Sequence, residues 1–113
     1  MADQKSIVLV PFPYSDLSGK KVRPALILSS PKFNKDEDVI ICALTSNIKH
    51  NRPYSLIVTE QDTVQHRLME ESQVRSDTLT RIKKDLIIKE IDVLNDIAFK
   101  KVLQILKIIF EEV

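Results

Sequence analysis

Val22-Arg23-Pro24-Ala25-Leu26-Ile27-Leu28-Ser29 decides how this chain is to be read, because positive charge runs there directly into an apolar stretch. Proline fixes its own φ and pushes the preceding residue toward extended geometry, so Arg23 is expected at the mouth of a strand of defined direction. A guanidinium held there suits an anionic ligand. With Lys20 and Lys21 beside it, Arg23 also fits a plain solvated basic turn, and charge alone does not separate the two readings.

Working outward, Ser6-Ile7-Val8-Leu9-Val10-Pro11-Phe12 is rich in β-branched residues and stopped by proline, which predicts a first strand. Tyr14-Ser15-Asp16-Leu17-Ser18-Gly19-Lys20-Lys21 is turn chemistry and holds the chain's only glycine, so an exposed loop is expected there. A second strand is expected over Pro24 to Ser29, with Pro31 and Asn34 marking the loop after it. Val39-Ile40-Ile41-Cys42-Ala43-Leu44 is apolar throughout, the pattern of a central strand buried on both faces. Tyr54 to Thr59 predicts a fourth strand, and Glu60 to Glu71 an acidic connection. Ser72 to Asp77 reads as extended, and Leu86 to Ile91 as the last strand. Asn95 suits an N-cap and Asp96 the positive end of a helix dipole, so a helix is predicted to about Phe110.

On that helix Phe99, Val102, Leu103, Leu106 and Phe110 recur at helical spacing and form one apolar face. Ile105, Ile108 and Ile109 widen the stripe beyond what one small sheet requires. A second copy of the chain is the expected cover for the excess.

With 113 residues, a single domain over residues 1–113 is expected. Apolar residues at 43% and charged ones at 29% are the balance of a globular protein rather than a disordered one. The net charge of +1 argues against wholesale coating by nucleic acid, so any polyanion site must be local. The basic excess lies in residues 1–53, where Arg23 is. No apolar run reaches the ~20 residues of a membrane span, and Met1-Ala2-Asp3-Gln4-Lys5 lacks the character of a secretory signal, so a cytoplasmic protein is expected. Cys42 is the only cysteine and lies among apolar neighbours, which predicts a buried, inert thiol. His50 and His66 are too isolated in sequence to form a zinc set, and no cofactor is expected.

Two further patterns bear on chemistry. Thr45-Ser46-Asn47 follows the central strand abruptly with three hydrogen-bonding side chains, which either serve a site or simply end the strand. In Val74-Arg75-Ser76-Asp77, strand alternation sends Arg75 and Asp77 to one face within pairing distance. Such a pair is either functional or an ordinary surface pair worth ~0–1 kcal/mol.

Together, Ile7-Val8-Leu9-Val10-Pro11-Phe12-Pro13 leading into Arg23-Pro24-Ala25-Leu26-Ile27-Leu28-Ser29, then Cys42-Ala43-Leu44-Thr45-Ser46, then Val74-Arg75-Ser76-Asp77, resemble the PemK/MazF toxins of bacterial type II toxin–antitoxin systems. The resemblance runs in order from about residue 6 to about residue 110. It implies an α+β, mainly β fold: a small SH3-like β-barrel with a C-terminal helix, assembled as a homodimer. It further implies a sequence-selective endoribonuclease that cleaves single-stranded mRNA without a metal, neutralised by a cognate antitoxin whose disordered tail folds over the toxin groove. The chain departs from the family pattern twice. Lys5-Ser6 stands where a Gly-Asp pair commonly precedes the first strand, and a glycine often found near Arg67-Leu68 is missing.

Carried onto this sequence, the resemblance implies Arg23, Thr45, Arg75 and Asp77 as catalytic residues. RNA cleavage without a metal uses the ribose 2′-OH as internal nucleophile. Asp77 then serves as general base, Arg23 and Arg75 clamp the phosphate, and Thr45 with Ser46 donates hydrogen bonds to a non-bridging oxygen. Arginine is a poor proton donor, so the leaving-group proton is expected from water or from one shared within the Arg75/Asp77 pair. Lys20, Lys21, Lys49 and Arg52 are expected to follow the backbone, Asn47 to help bind it, and Tyr14, ahead of Phe12 and Tyr54, to stack on an unpaired base. Two other functions fit the same fold: a toxin that binds a protein target such as DNA gyrase, and a barrel that binds RNA without cutting it.

Overall fold

Three β-branched runs near the N-terminus pair antiparallel and set the frame on which everything else is hung. The computed structural model describes residues 3–11 and 22–111. In chain order it contains β1 (Ser6–Pro11), β2 (Val22–Ile27), β3 (Asp38–Thr45), β4 (Ser55–Val58), β5 (Ser72–Lys83), β6 (Lys89–Val93) and α1 (Asp96–Phe110). All six strands belong to one sheet of order β4-β5-β3-β2-β1-β6, and every pairing is antiparallel.

Strand alternation divides the apolar residues between the two faces. Ile7, Leu26, Cys42, Leu44, Val74 and Leu94 meet Ala98, Phe99 and Val102 of α1 in one buried cluster. Val8, Val10, Ala25, Ile27, Val39, Ile41 and Ile82 form a second cluster on the opposite face. β3 contributes to both, as its unbroken apolar run predicts. The sheet curls into a half-barrel, and its outer edges are drawn together after β4, where Thr63 bridges to Leu94 just past β6. Val64 N–H adds a bond to the Val93 carbonyl at 2.8 Å. The result is the mainly β barrel with a terminal helix that the sequence led us to expect.

Several boundaries differ from the sequence reading: β2 spans Val22–Ile27 rather than Pro24 to Ser29, and β3 reaches one residue further at each end than Val39 to Leu44. The fourth strand starts at Ser55 because Tyr54 takes a φ of +53°, which no strand accommodates. β5 runs on to Lys83, well past Asp77, because residues 79–83 pair with 38–42 of β3. The last strand is Lys89–Val93 rather than Leu86 to Ile91. Lys84–Leu86 is a 3₁₀ turn that carries the chain across to the far edge, and Leu86 and Ile88 are left exposed.

The helix begins as expected: the Asn95 side chain accepts from Ala98 N–H at 2.9 Å. Its apolar stripe is only partly used. Phe99 and Val102 are buried and Leu106 packs against them, but Ile97, Leu103, Ile108 and Phe110 are exposed. Among the described residues, no helix is long and apolar enough to cross a membrane.

The two departures from the family pattern have a backbone counterpart. Lys5, at the first, has φ +79°, and His66, adjoining the second, has φ +55°. Both lie in the left-handed region that glycine enters without steric cost.

Candidate functional site

Arg23 is the second residue of β2, opposite Val10, so its position at the start of a strand is as Pro24 predicts. Ala25 pairs with Ala43 and Thr45 with Gln73. Two residues from the Ala25–Ala43 pair, Arg23 and Thr45 therefore come opposite each other on one face, with Gln73 on the next strand. Arg75, opposite Ala43 and Ser55, stands one step along the same face. Strand spacing and the two-residue offset put Arg23 and Arg75 ~12 Å apart across the sheet, within joint reach of one phosphate.

Two guanidinium nitrogens in this patch lack a partner: among the described residues, the buried Nε atoms of Arg23 and Arg75 make no hydrogen bond, nor does the buried Ser76 Oγ. A buried donor left unmade costs about 1–3 kcal/mol, so a fold that keeps two of them in one patch is stabilised elsewhere. Arg23, Thr45 and Ser46 also line a cavity of about 480 Å³ whose other walls include Pro24, Leu44, Arg67, Leu68 and Met69. Residues from both sheet faces reach it because it opens around the sheet's end.

Asp77 does not join Arg75 in the way that simple alternation predicts. The register of β5 slips between Cys42↔Leu79 and Ala43↔Arg75, so Ser76, Asp77 and Thr78 form a bulge with no partner in β3. A bulge re-aims the side chains it carries. Asp77 is exposed and forms no ion pair with Arg75 within 4.0 Å. Its charge is felt instead at Cys42, whose thiol burial, helped by Asp77, pushes up to about 12. Cys42 is thus the inert thiol that its neighbours predict.

Of the residues expected to bind substrate, Ser46, Asn47 and Lys49 are exposed on the loop after β3. Asn47 N–H closes a turn on Thr45 Oγ1 at 3.1 Å. Arg52 is committed to the fold rather than free: its Nη1 donates to Gln73 Oε1 and, at 3.4 Å, to the Asn47 carbonyl. Tyr54 is exposed beside the bulge, its carbonyl accepting from Ser76 N–H at 3.1 Å. Tyr14, Lys20, Lys21 and Phe12 lie outside the described residues.

Sequence reasoning passed over Gln73, although its alternation with Arg75 places it on the same face. It is 1% exposed and fully bonded: Oε1 accepts from Lys49 N–H at 3.1 Å, and Nε2 donates to Lys49 O at 3.0 Å and Ser55 Oγ at 2.8 Å. This amide fixes the 46–55 loop against the patch. Arg67 was also passed over, for it stands in a polar connection with no motif around it.

Fold and site define a small half-barrel protein that gathers at one end of its sheet a threonine and two arginines whose buried Nε atoms have no partner among the described residues. The family model of PemK-like, MazF-like toxins of type II toxin–antitoxin systems matches residues 3–110, and the chain belongs to that family. Among solved structures it is similar to an endoribonuclease in complex with its cognate antitoxin from a mycobacterial species (TM-score 0.75, 17% identity, covering 94% of this chain and 91% of that one). It is also similar to the MazE–MazF complex of Deinococcus radiodurans (TM-score 0.73, 18% identity, 98% and 96% covered). Mycobacterium tuberculosis toxin MazF-mt6 is a third such structure (TM-score 0.72, 16% identity, 93% and 95% covered). No curated protein matches the sequence.

Proposed function

We propose that the protein is a sequence-selective endoribonuclease toxin that cleaves single-stranded mRNA without a metal and is held inactive by a cognate antitoxin. The observation that carries this reading is the pair of buried Nε atoms on Arg23 and Arg75, without a partner among the described residues, on the sheet face that also carries Thr45. A guanidinium with a buried nitrogen left unbonded among the described residues is ready for an anionic ligand, and guanidinium suits phosphate bidentately. Family membership and similarity to an endoribonuclease caught with its antitoxin support the same reading.

In this reading the 2′-oxygen of the ribose attacks the adjacent phosphorus, and its proton passes to the Asp77 carboxylate. A bond forms between the 2′-oxygen and phosphorus as the bond to the 5′-oxygen breaks. Arg23 and Arg75 offset the charge that builds on the non-bridging oxygens, and the Thr45 hydroxyl donates to one of them. With Asp77 turned out on its bulge, water delivers the proton to the departing 5′-oxygen. The products carry a 2′,3′-cyclic phosphate and a 5′-hydroxyl.

The working unit is a homodimer in which the unused stripe of α1 meets a second copy. Leu103 and Phe110, along one edge of that stripe, are 42% and 72% exposed, which is a large apolar cost for a lone chain. The antitoxin's acidic or amphipathic tail would cover the arginine patch.

The test is incubation of the purified protein with a long mRNA in the presence of EDTA, followed by mapping of the new 5′ ends. Discrete cuts, abolished by a 2′-deoxy substitution at the cut position, are the expected result. Uncut RNA, or cutting that survives the 2′-deoxy substitution, would overturn the reading.

A further inference from the structure

The acidic connection between β4 and β5 contains one segment that is held as rigidly as the sheet. Asp92, in β6, is wholly buried, and its carboxylate accepts from Arg67 N–H at 2.7 Å, Gln65 N–H at 2.9 Å and Val93 N–H at 2.7 Å. Between the first two donors, His66 occupies the left-handed region at φ +55°. The backbone there is wrapped round a buried charge, and Leu68, the next residue but one, is locked in the core. The Arg67 side chain is left out of this arrangement. It is exposed, its guanidinium has no hydrogen bond or ion pair among the described residues, and it lines the same 480 Å³ cavity as Arg23, Thr45 and Ser46. Glu70 on the same wall forms no ion pair with it within 4.0 Å.

Long cations on mobile loops lose much of their binding energy to the ordering of the loop. Arg67 avoids that cost because its backbone is fixed before any ligand arrives. From this we infer that Arg67 is a second phosphate anchor of the site, holding the RNA backbone at the wall formed by residues 67–70 while Arg23 and Arg75 hold the scissile phosphate. Asp92 is the positioning residue behind it. The inference rests on the nuclease reading for the identity of the ligand, but its test does not depend on cleavage.

That test measures binding of a fluorescent, mixed-sequence single-stranded RNA of about 12 nucleotides, made with 2′-O-methyl sugars throughout so that it stays whole. Affinity is followed against salt for the unaltered protein, for Arg67→Gln and for Lys101→Gln, an exposed lysine of α1 that serves as control. Each phosphate contact to a single strand contributes ~0.7 to the slope of log affinity against log salt. Arg67→Gln is expected to bind about three- to tenfold more weakly and to reduce the slope by ~0.7, with the control unchanged. Equal slopes for Arg67→Gln and the unaltered protein would overturn the inference, even if the pattern of cuts in a natural RNA broadened, because that would make Arg67 a reader of bases. Binding with the predicted slope change but no cutting of natural RNA would leave the inference standing and remove the nuclease reading. No binding by the unaltered protein would remove both.

Discussion

The side-chain amide of Gln73 holds the backbone of Lys49 from both sides, accepting from its N–H at 3.1 Å and donating to its carbonyl at 3.0 Å. A buried amide that mimics a strand partner in this way ties the loop carrying Asn47 and Lys49 to the strand carrying Arg75. Gln73→Leu should leave Lys49 N–H without its acceptor and take the Gln73 Oε1 partner from Arg52 Nη1, while Lys49 O keeps Arg52 N–H and Ser55 Oγ keeps Arg52 O, and should cost about 2–4 kcal/mol. Urea denaturation reads the loss. RNA cleavage at a temperature where the variant stays folded should show a raised KM with a smaller change in kcat.

The buried Nε atoms of Arg23 and Arg75, without partners among the described residues, predict an exchange of activity for stability. Replacing Arg23 or Arg75 by Met removes a buried donor that has no acceptor, so folding stability should hold or rise by up to ~1 kcal/mol. RNA cleavage should fall by about 10²-fold or more in each variant, as expected when a charge that faces the developing oxyanion is lost. A variant that loses stability in step with activity would identify the arginine as structural.

Asp77→Asn keeps the size and exposure of the side chain but cannot take up the 2′-OH proton. Loss of cleavage by about 10²–10⁴-fold is expected, with RNA binding retained in the 2′-O-methyl assay.

Asp92 predicts an acid-sensitive fold. Burial raises its pKa, but the N–H groups of Arg67, Gln65 and Val93 and the Thr63 hydroxyl outweigh burial and hold the carboxyl below its ordinary 3.8. A carboxyl depressed in the folded state stabilises it above the unfolded value of ~3.9, and that contribution is lost as pH falls through the folded value. Urea midpoints should therefore drop below about pH 4 in the unaltered protein. Asp92→Asn should be less stable at pH 7 and show a shallower decline toward low pH.

His66 at φ +55° stands next to the place where the family commonly carries glycine. His66→Gly should keep the fold and raise stability by about 0.5–1 kcal/mol, since relief of the left-handed backbone exceeds the entropy that glycine adds to the unfolded chain. His66→Ile should lower it by at least ~1 kcal/mol. Thermal unfolding of the pair separates these outcomes.

Residue types and spacing by themselves determined that a strand begins near Arg23-Pro24, that β3 is buried on both faces, that Cys42 is inert and that Asn95 caps the last helix. These follow from local rules of proline geometry, two-residue alternation and helix capping, which need no knowledge of distant residues. The family resemblance was likewise legible, being carried by short motifs in order. Tertiary structure alone decided the register slip that turns Asp77 out of line with Arg75, because a bulge depends on how β5 meets β3. It also decided that Arg52 is bound to Gln73, that Arg67 joins the cavity of Arg23, and that Phe110 and Ile108 lie bare on α1. Each of these is a matter of which surfaces meet when the edges of the sheet are drawn together, and no local pattern encodes that.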